Sequence, residues 1–353
     1  MQKIIKTFLT AALTMGCLGW QSTAHAENYR INIAAGSPPV VPWVKMISGV
    51  FIPEVNKRIE GKHSIEWIES YSGTAAKVGG VLEAVESGLV EMGQVYAIFE
   101  QDKLTLQNIT YMTPFGSDDL DLVTRLIGEL HKENPAMTKA WSDNGQTFIA
   151  PIGLDTHYLA TNFPVHSIED LKGRKIGGAG TIANWLNGVG ATAVAGNFSV
   201  HYNNIRTGVY DGLLNFSSGI YPNKLHEVAP NLTRVDFGAQ FVGGLTINND
   251  IWNSFPDDLK TAFMEAGEVY RGKVAKGLQN FAKVAEAKMV EQGATITRFT
   301  SKERAQWARA LPNLAADWAT RTEARGLPGN KILSAWMTKL RENNVDLVRN
   351  WDR

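Results

Sequence analysis

The hydrophobic pattern changes period again and again through the first hundred residues, and this constrains the fold more than any other feature. Residues 29–35 (YRINIAA) alternate polar and apolar, as a half-buried strand does. Val44, Ile47, Phe51 and Val55 then recur at helical spacing over 42–60, with Pro42 in the first turn, where a missing N–H does no harm. Residues 64–69 read as a second strand, 75–87 as a second helix ended by Gly88, and 91–97 as a third strand. Strand–helix–strand–helix–strand predicts an α/β fold, a sheet covered by helices on both faces. Helices are expected over 119–133 and 135–144, with strands at 147–152, around Leu159, and at 175–176, 193–194, 231–237 and 243–248. Residues 259–292 form one helical pattern, about 50 Å long. A short strand at 295–299 and two helices are expected to close the chain.

The N-terminus implies a compartment. Lys3 and Lys6 precede an apolar run over about 7–20, and Ala24-His25-Ala26 gives a cleavage signature before Glu27. The run is too short for a bilayer, so 1–26 is read as a signal peptide cleaved after Ala26, with the mature chain in the periplasm. Cys17 is the only cysteine, which leaves the mature chain without disulfides, thiol catalysis or cysteine metal ligands. The 35 Lys+Arg against 35 Asp+Glu argue against nucleic acid or an anionic membrane as partner. No later apolar run approaches bilayer length, so the mature chain is expected to be soluble.

Residues 167–215 carry two motifs. The first is Ile168-Glu169-Asp170-Leu171-Lys172-Gly173 followed by Lys175-Ile176. The second is Phe198-Ser199, Tyr202, Thr207-Gly208-Val209-Tyr210-Asp211-Gly212 and Asn215. This pattern resembles the solute-binding proteins of TRAP (tripartite ATP-independent periplasmic) transporters, in their dicarboxylate-type, DctP-like branch. The resemblance implies a two-lobed periplasmic binding protein fold with hinge strands and a long lobe-spanning helix. Lobe I would be 27–150 plus 245–300, lobe II 151–244, and 301–353 a set of C-terminal helices. It also implies a small organic solute caught in the interlobe cleft and delivered to a TRAP membrane permease driven by an ion gradient. The protein is expected to act as a monomer, without cofactor or metal.

The resemblance further implies two arginines on a ligand carboxylate, since a planar guanidinium fork gives bidentate recognition. Here those positions are Gly177 and His157, and the glutamate of the family's F-S-E is Val200. Tyr202 and Asn215 keep the family residues and are expected at the ligand. The glycine-rich turn Gly177-Gly178-Ala179-Gly180-Thr181 precedes an expected helix over 182–187. Backbone N–H groups there could hold an anion without a side-chain charge, which makes Gly178, Gly180 and Thr181 candidate ligand contacts. Alternatively the glycines only permit a tight turn. The same run matches G-x-G-x-x-A at Gly178, Gly180 and Ala183, but the acid that a dinucleotide site wants about 20 residues on is missing. Trp43, Trp185, Tyr71 and Tyr96 are candidate cleft aromatics, although for any single Trp packing in a core is the commoner role. Asp155, if it faces the cleft, favours a cationic ligand.

Two ligand classes therefore stay open: a small, aromatic or aliphatic organic acid, and a neutral or cationic amine held by rings and Asp155. In the acid case an imidazolium at His157 would weaken binding as pH rises. Enzyme readings lack support. The sequence has no G-x-S-x-G, no H-E-x-x-H, and the mature chain has scattered histidines at 63, 131, 157, 166, 201 and 226. Ser217-Ser218-Gly219 could be proposed as the nucleophile of a periplasmic hydrolase, with no base identifiable beside it.

Overall fold

The computed structural model describes residues 27–196 and 198–353, so the signal-peptide segment and its cleavage after Ala26 lie outside the described residues. Eleven strands form two sheets. The first contains β1 (Asn28–Ala35), β2 (Ser64–Ser70), β3 (Met92–Tyr96), β4 (Gln146–Leu154) and β10 (Gln240–Asn248), in the order β2-β1-β3-β10-β4. β1 pairs in parallel with β2 and β3, whereas β10 runs antiparallel to β3 and β4. The second contains β5 (His157–Thr161), β6 (Lys175–Gly178), β7 (Thr192–Ala195), β8 (Gly212–Phe216), β9 (Asn231–Arg234) and β11 (Thr295–Arg298), in the order β11-β9-β5-β8-β6-β7. The chain crosses between sheets at Asp155-Thr156, which joins β4 to β5, and again over 235–239, which joins β9 to β10, as the α/β two-lobed reading calls for.

The helix Asp257–Glu291 is a third connection. Leu259, Phe263, Tyr270 and Val274 bury in the large core, and Met289 reaches the smaller core beyond the second sheet. Gly267 lets the helix lie on β4, since a Cβ there would stand 2.9 Å from the Ile149 carbonyl oxygen. Arg271 fixes the crossing from the side, with ion pairs to Asp121 at 2.8 Å and Glu268 at 2.7 Å.

Several expectations need correction. β11 joins β9 in the second sheet, so residues up to 300 do not all belong with lobe I. The long helix carries the chain across, and a strand at its end pairs on the far side. The helix expected over 42–60 contains a π-turn at Ile47–Phe51. Three C-terminal helices appear rather than two: Ser301–Ala310, Leu314–Glu323 and Gly329–Glu342. Tryptophans of the last two helices and of the tail after them dock on residues 105–114. Trp318 donates to the Thr105 carbonyl at 3.3 Å, Trp336 to the Thr113 hydroxyl at 3.0 Å and Trp351 to the Pro114 carbonyl at 2.8 Å. Irregular backbone leaves polar groups unpaired, and indole N–H groups satisfy them while burying large rings.

His131, on the helix Leu120–Glu133, is a core histidine with a defined tautomer. Its Nδ1 donates to the Ile127 carbonyl at 2.8 Å, its Nε2 accepts from Trp141 at 3.1 Å, and its ring stacks on Phe148 at 4.2 Å. Burial pushes its pKa down to about 4. Its contribution to stability is therefore complete above the unfolded value of about 6.5 and is lost as pH falls toward the folded value, at up to ~1.4 kcal/mol per pH unit. An NMR titration should show this imidazole neutral throughout the neutral range; a midpoint near the unperturbed value would contradict the assignment.

Candidate functional site

Strand ends near the middle of each sheet place a line of aromatic rings between the lobes. From the first lobe come Tyr96, at the C-terminal end of β3, and Trp43, in the helix Pro42–Met46 that follows the loop after β1. The Trp43 indole N–H donates to the Tyr96 hydroxyl at 2.6 Å, Tyr96 donates to Gln94 Oε1 at 3.2 Å, and Ser37 Oγ lies 3.1 Å from the same hydroxyl. Tyr270 of the long helix holds the Trp43 carbonyl at 2.7 Å. Both rings are thus fixed before anything binds.

From the second lobe come His157, which opens β5, and Phe216, which ends β8; the two are directly paired across the strands. Their ring centroids are 5.4 Å apart, near edge-to-face. Trp43 reaches Phe216 at 6.3 Å, so the line crosses from lobe to lobe. On its other side His157 meets the Trp185 edge at 5.3 Å, and Trp185 stacks on Phe237 at 5.0 Å and on Tyr111 at 6.0 Å. Such edge and offset-stacked contacts are the favoured geometries for rings.

The polar atoms in this line are unusual. His157 is fully buried, and neither ring nitrogen has a hydrogen-bond partner among the described residues. The Tyr111 hydroxyl and the Gln94 amide nitrogen are buried and unpartnered too. Each such group costs about 1–3 kcal/mol, so a cluster of them marks a place where function outweighs stability. Burial alone pushes the His157 pKa down to about 3. The imidazole is neutral at physiological pH, and the imidazolium expected from the sequence is absent there.

The other expected residues are distributed differently. Asn215 is buried, but it pairs with Tyr158 in the register next to His157–Phe216. Alternation along a strand therefore sends Asn215 and His157 to opposite faces of the second sheet. Its Oδ1 accepts from the Phe216 N–H at 2.9 Å. Tyr202 lies on the helix Phe198–Arg206 and donates to Glu227 at 3.1 Å, away from the ring line. Tyr71 is buried in the first lobe with its hydroxyl 3.0 Å from Ser48 Oγ. Asp155 is committed to structure: its carboxylate accepts from the Ser217 hydroxyl at 2.9 Å, the Ser218 N–H at 3.2 Å and the Ser218 hydroxyl. That set ties the first crossing segment to the turn after β8. It also occupies both serine hydroxyls that the hydrolase reading would need.

The glycine-rich turn departs from expectation as well. It leads into a 3-10 stretch, Gly180–Leu186, rather than the α-helix expected over 182–187. Gly180, at φ +52°, instead brings the turn against Ile98 of the first lobe. At Gly177 a Cβ would stand 2.9 Å from the Tyr210 ring, so Tyr210 fills the space a side chain would need. Sequence reasoning missed Phe216 and Tyr111. Phe216 ends β8, a strand not expected from the sequence, although the apolar run Leu213-Leu214 beside Asn215 is a signal for it; Tyr111 lies in a short helix, Ile109–Met112, with no motif. Among the described residues no three His, Cys, Asp or Glu gather as a metal site, and no helix is long and apolar enough to cross a membrane.

Residues 37–321 match the model of bacterial extracellular solute-binding protein family 7, DctP. The chain is 32% identical over 158 residues to a solute-binding protein of Sulfitobacter sp. (strain NAS-14.1), across 43% of this chain and 47% of that one. It thus spans about half the length of the first curated relatives it matches. The fold is similar to that of a TRAP periplasmic solute binding protein from Desulfovibrio salexigens, at TM-score 0.78, 19% identity and coverage of 89% and 96%. It is also similar to a marine metagenome TRAP solute binding protein specific for aromatic acid ligands, solved with 3-hydroxybenzoate, at TM-score 0.76, 18% identity and coverage of 90% and 99%.

Proposed function

The chain belongs to bacterial extracellular solute-binding protein family 7, and from that premise we propose that it captures a small planar organic acid between its lobes and presents it to a TRAP-type permease. The carrier is non-catalytic, works in the periplasm as a monomer after cleavage at Ala26, and leaves the energy of transport to an ion gradient across the permease. The observation that carries this reading is His157. A fully buried imidazole with two free nitrogens, walled by the edges of Trp185 and Phe216 and aligned with Trp43 of the opposite lobe, is suited to a flat polar ligand. The relative solved with 3-hydroxybenzoate supports an aromatic acid.

In this reading the acid is held by neutral donors. His157 N–H and the Tyr111 hydroxyl supply hydrogen bonds, the rings supply contact area, and no guanidinium takes part. Such bonds to a carboxylate are still charge-assisted, but without a guanidinium the bidentate fork and its opposite charge are missing, so affinity rests more on shape and ring burial. A second reading, an uncharged planar ligand, is favoured by the same neutral histidine and by the glycine at 177. An amine is less well supported, because Asp155 is already saturated.

Calorimetric titration of the mature protein with benzoate, benzamide, benzylamine and succinate tests the proposal. Saturable binding of benzoate, with succinate much weaker, is expected. Affinity should change by less than about twofold between about pH 6 and 8, because His157 stays neutral across that window. Preference for benzamide would select the uncharged reading. Conversion of any bound compound, or tight binding of benzylamine alone, would refute the carrier of acids.

A further inference from the structure

Beside the ring line, a separate cavity of about 320 Å³ lies where three elements meet. Asn108 comes from the irregular segment after β3, Thr181 from the turn after β6, and Arg321 and Arg325 from the helix Leu314–Glu323 and its C-terminal end. None of Trp43, His157, Trp185 or Phe216 lines it. The cavity is therefore distinct from the proposed solute site, although it too has walls from both lobes.

We propose that this cavity binds a small oxyanion that carries its own O–H donor, such as hydrogen phosphate or a hydroxycarboxylate. Arg321 makes no ion pair or hydrogen bond among the described residues, so its guanidinium is free to take an anion. Arg325 adds a second positive charge, held in place by the Thr105 hydroxyl at 2.9 Å. Its ion partner Asp102, at 3.5 Å, has a fully exposed side chain and neutralises it weakly. Thr181 is 4% exposed, and its hydroxyl has no partner, so it can donate to the anion. Asn108 is 2% exposed and defines the O–H requirement. Its amide nitrogen donates to the Ala97 carbonyl at 3.1 Å and the Leu104 carbonyl at 3.0 Å, which fixes the orientation of the amide. Its Oδ1 is then an acceptor with nothing to accept from. A ligand with acceptor oxygens alone would leave that group unpaired, whereas one with an O–H satisfies it. Bound between Arg321 and Thr181, the anion would also join the two lobes.

Titration of the mature protein with inorganic phosphate and with sulfate, at constant ionic strength, tests this. Phosphate should saturate with Kd below about 1 mM, and sulfate, fully ionised at neutral pH, should bind at least about tenfold more weakly, one lost hydrogen bond to a charged ligand. Arg321→Gln, an exposed change, should weaken phosphate at least about tenfold without moving Tm. Thr181→Val, nearly the same shape, should weaken it severalfold, and His157→Gln should leave it unaltered. Equal affinity for the two anions, no saturation by phosphate, or unchanged phosphate binding in Arg321→Gln would each overturn the proposal.

Discussion

Trp185→Ala should lower the stability of this protein by about 3–5 kcal/mol, the range for removing a fully buried large aromatic. Trp185 is completely buried, and its indole touches rings from three directions: Phe237, Tyr111 and His157. Its N–H donates to the Tyr111 carbonyl at 2.8 Å, a bond that alanine cannot replace. Phe237 sits in the second crossing segment and Tyr111 on the segment that receives the C-terminal tryptophans. The substitution therefore empties a joint rather than a peripheral site. Trp307 donates to the Trp185 backbone carbonyl at 2.7 Å, and this bond survives the change. Trp185→Phe should cost clearly less, because a ring remains between Phe237 and Tyr111. Urea denaturation of the three proteins measures both values. A loss below about 1 kcal/mol for the alanine variant would mean that the rings collapse onto one another, and that Trp185 is not a structural member of this joint.

That Trp185 belongs as much to the core as to the cleft shows where reading the sequence stops. Segments with a clear period were legible. β1, β2 and the helix Asp257–Glu291 stand within about two residues of expectation, because one face of each is the better buried and imposes its period on the sequence; β3, buried along its whole length, stands equally close. Partner choice was not legible. β11 has four residues, and nothing in TITR says whether it pairs near its own helix or with β9, 64 residues back in the register Thr297↔Thr233. His157 and Asn215 were placed by motif and not as strand residues, and no strand was expected over Gly212–Phe216, so the face each presents could not be read. The pairings His157↔Phe216 and Tyr158↔Asn215 separate them by one step of a two-residue period. The loss of an arginine at Gly177 was visible; that the Tyr210 ring fills its place was not, since contacts of that kind are set by packing across the sheet.

The strongest test of how this cleft handles charge is His157→Arg, which restores the guanidinium that the family resemblance implies at this position. His157 is fully buried, with its pKa pushed down to about 3 by burial, so the site already disfavours a positive charge on a ring that could carry one. An arginine cannot escape by losing its proton. In the ligand-free protein the variant should therefore be destabilised by about 3–5 kcal/mol, the cost of an uncompensated buried charge. A carboxylate would pair with that charge through two parallel hydrogen bonds, so benzoate should recover much of the lost stability and raise Tm more in the variant than in the native protein. Benzamide, of the same shape but uncharged, should recover little. Restoring the second arginine is a different matter: a side chain at 177 meets the Tyr210 ring at 2.9 Å, so the two-fork arrangement cannot be rebuilt by a single change there. If the variant is as stable as the native protein without ligand, position 157 opens to water and the buried, neutral cleft is wrong. If it is destabilised but benzoate and benzamide act alike, the solute's carboxylate does not approach His157, and an acid held by this imidazole is ruled out.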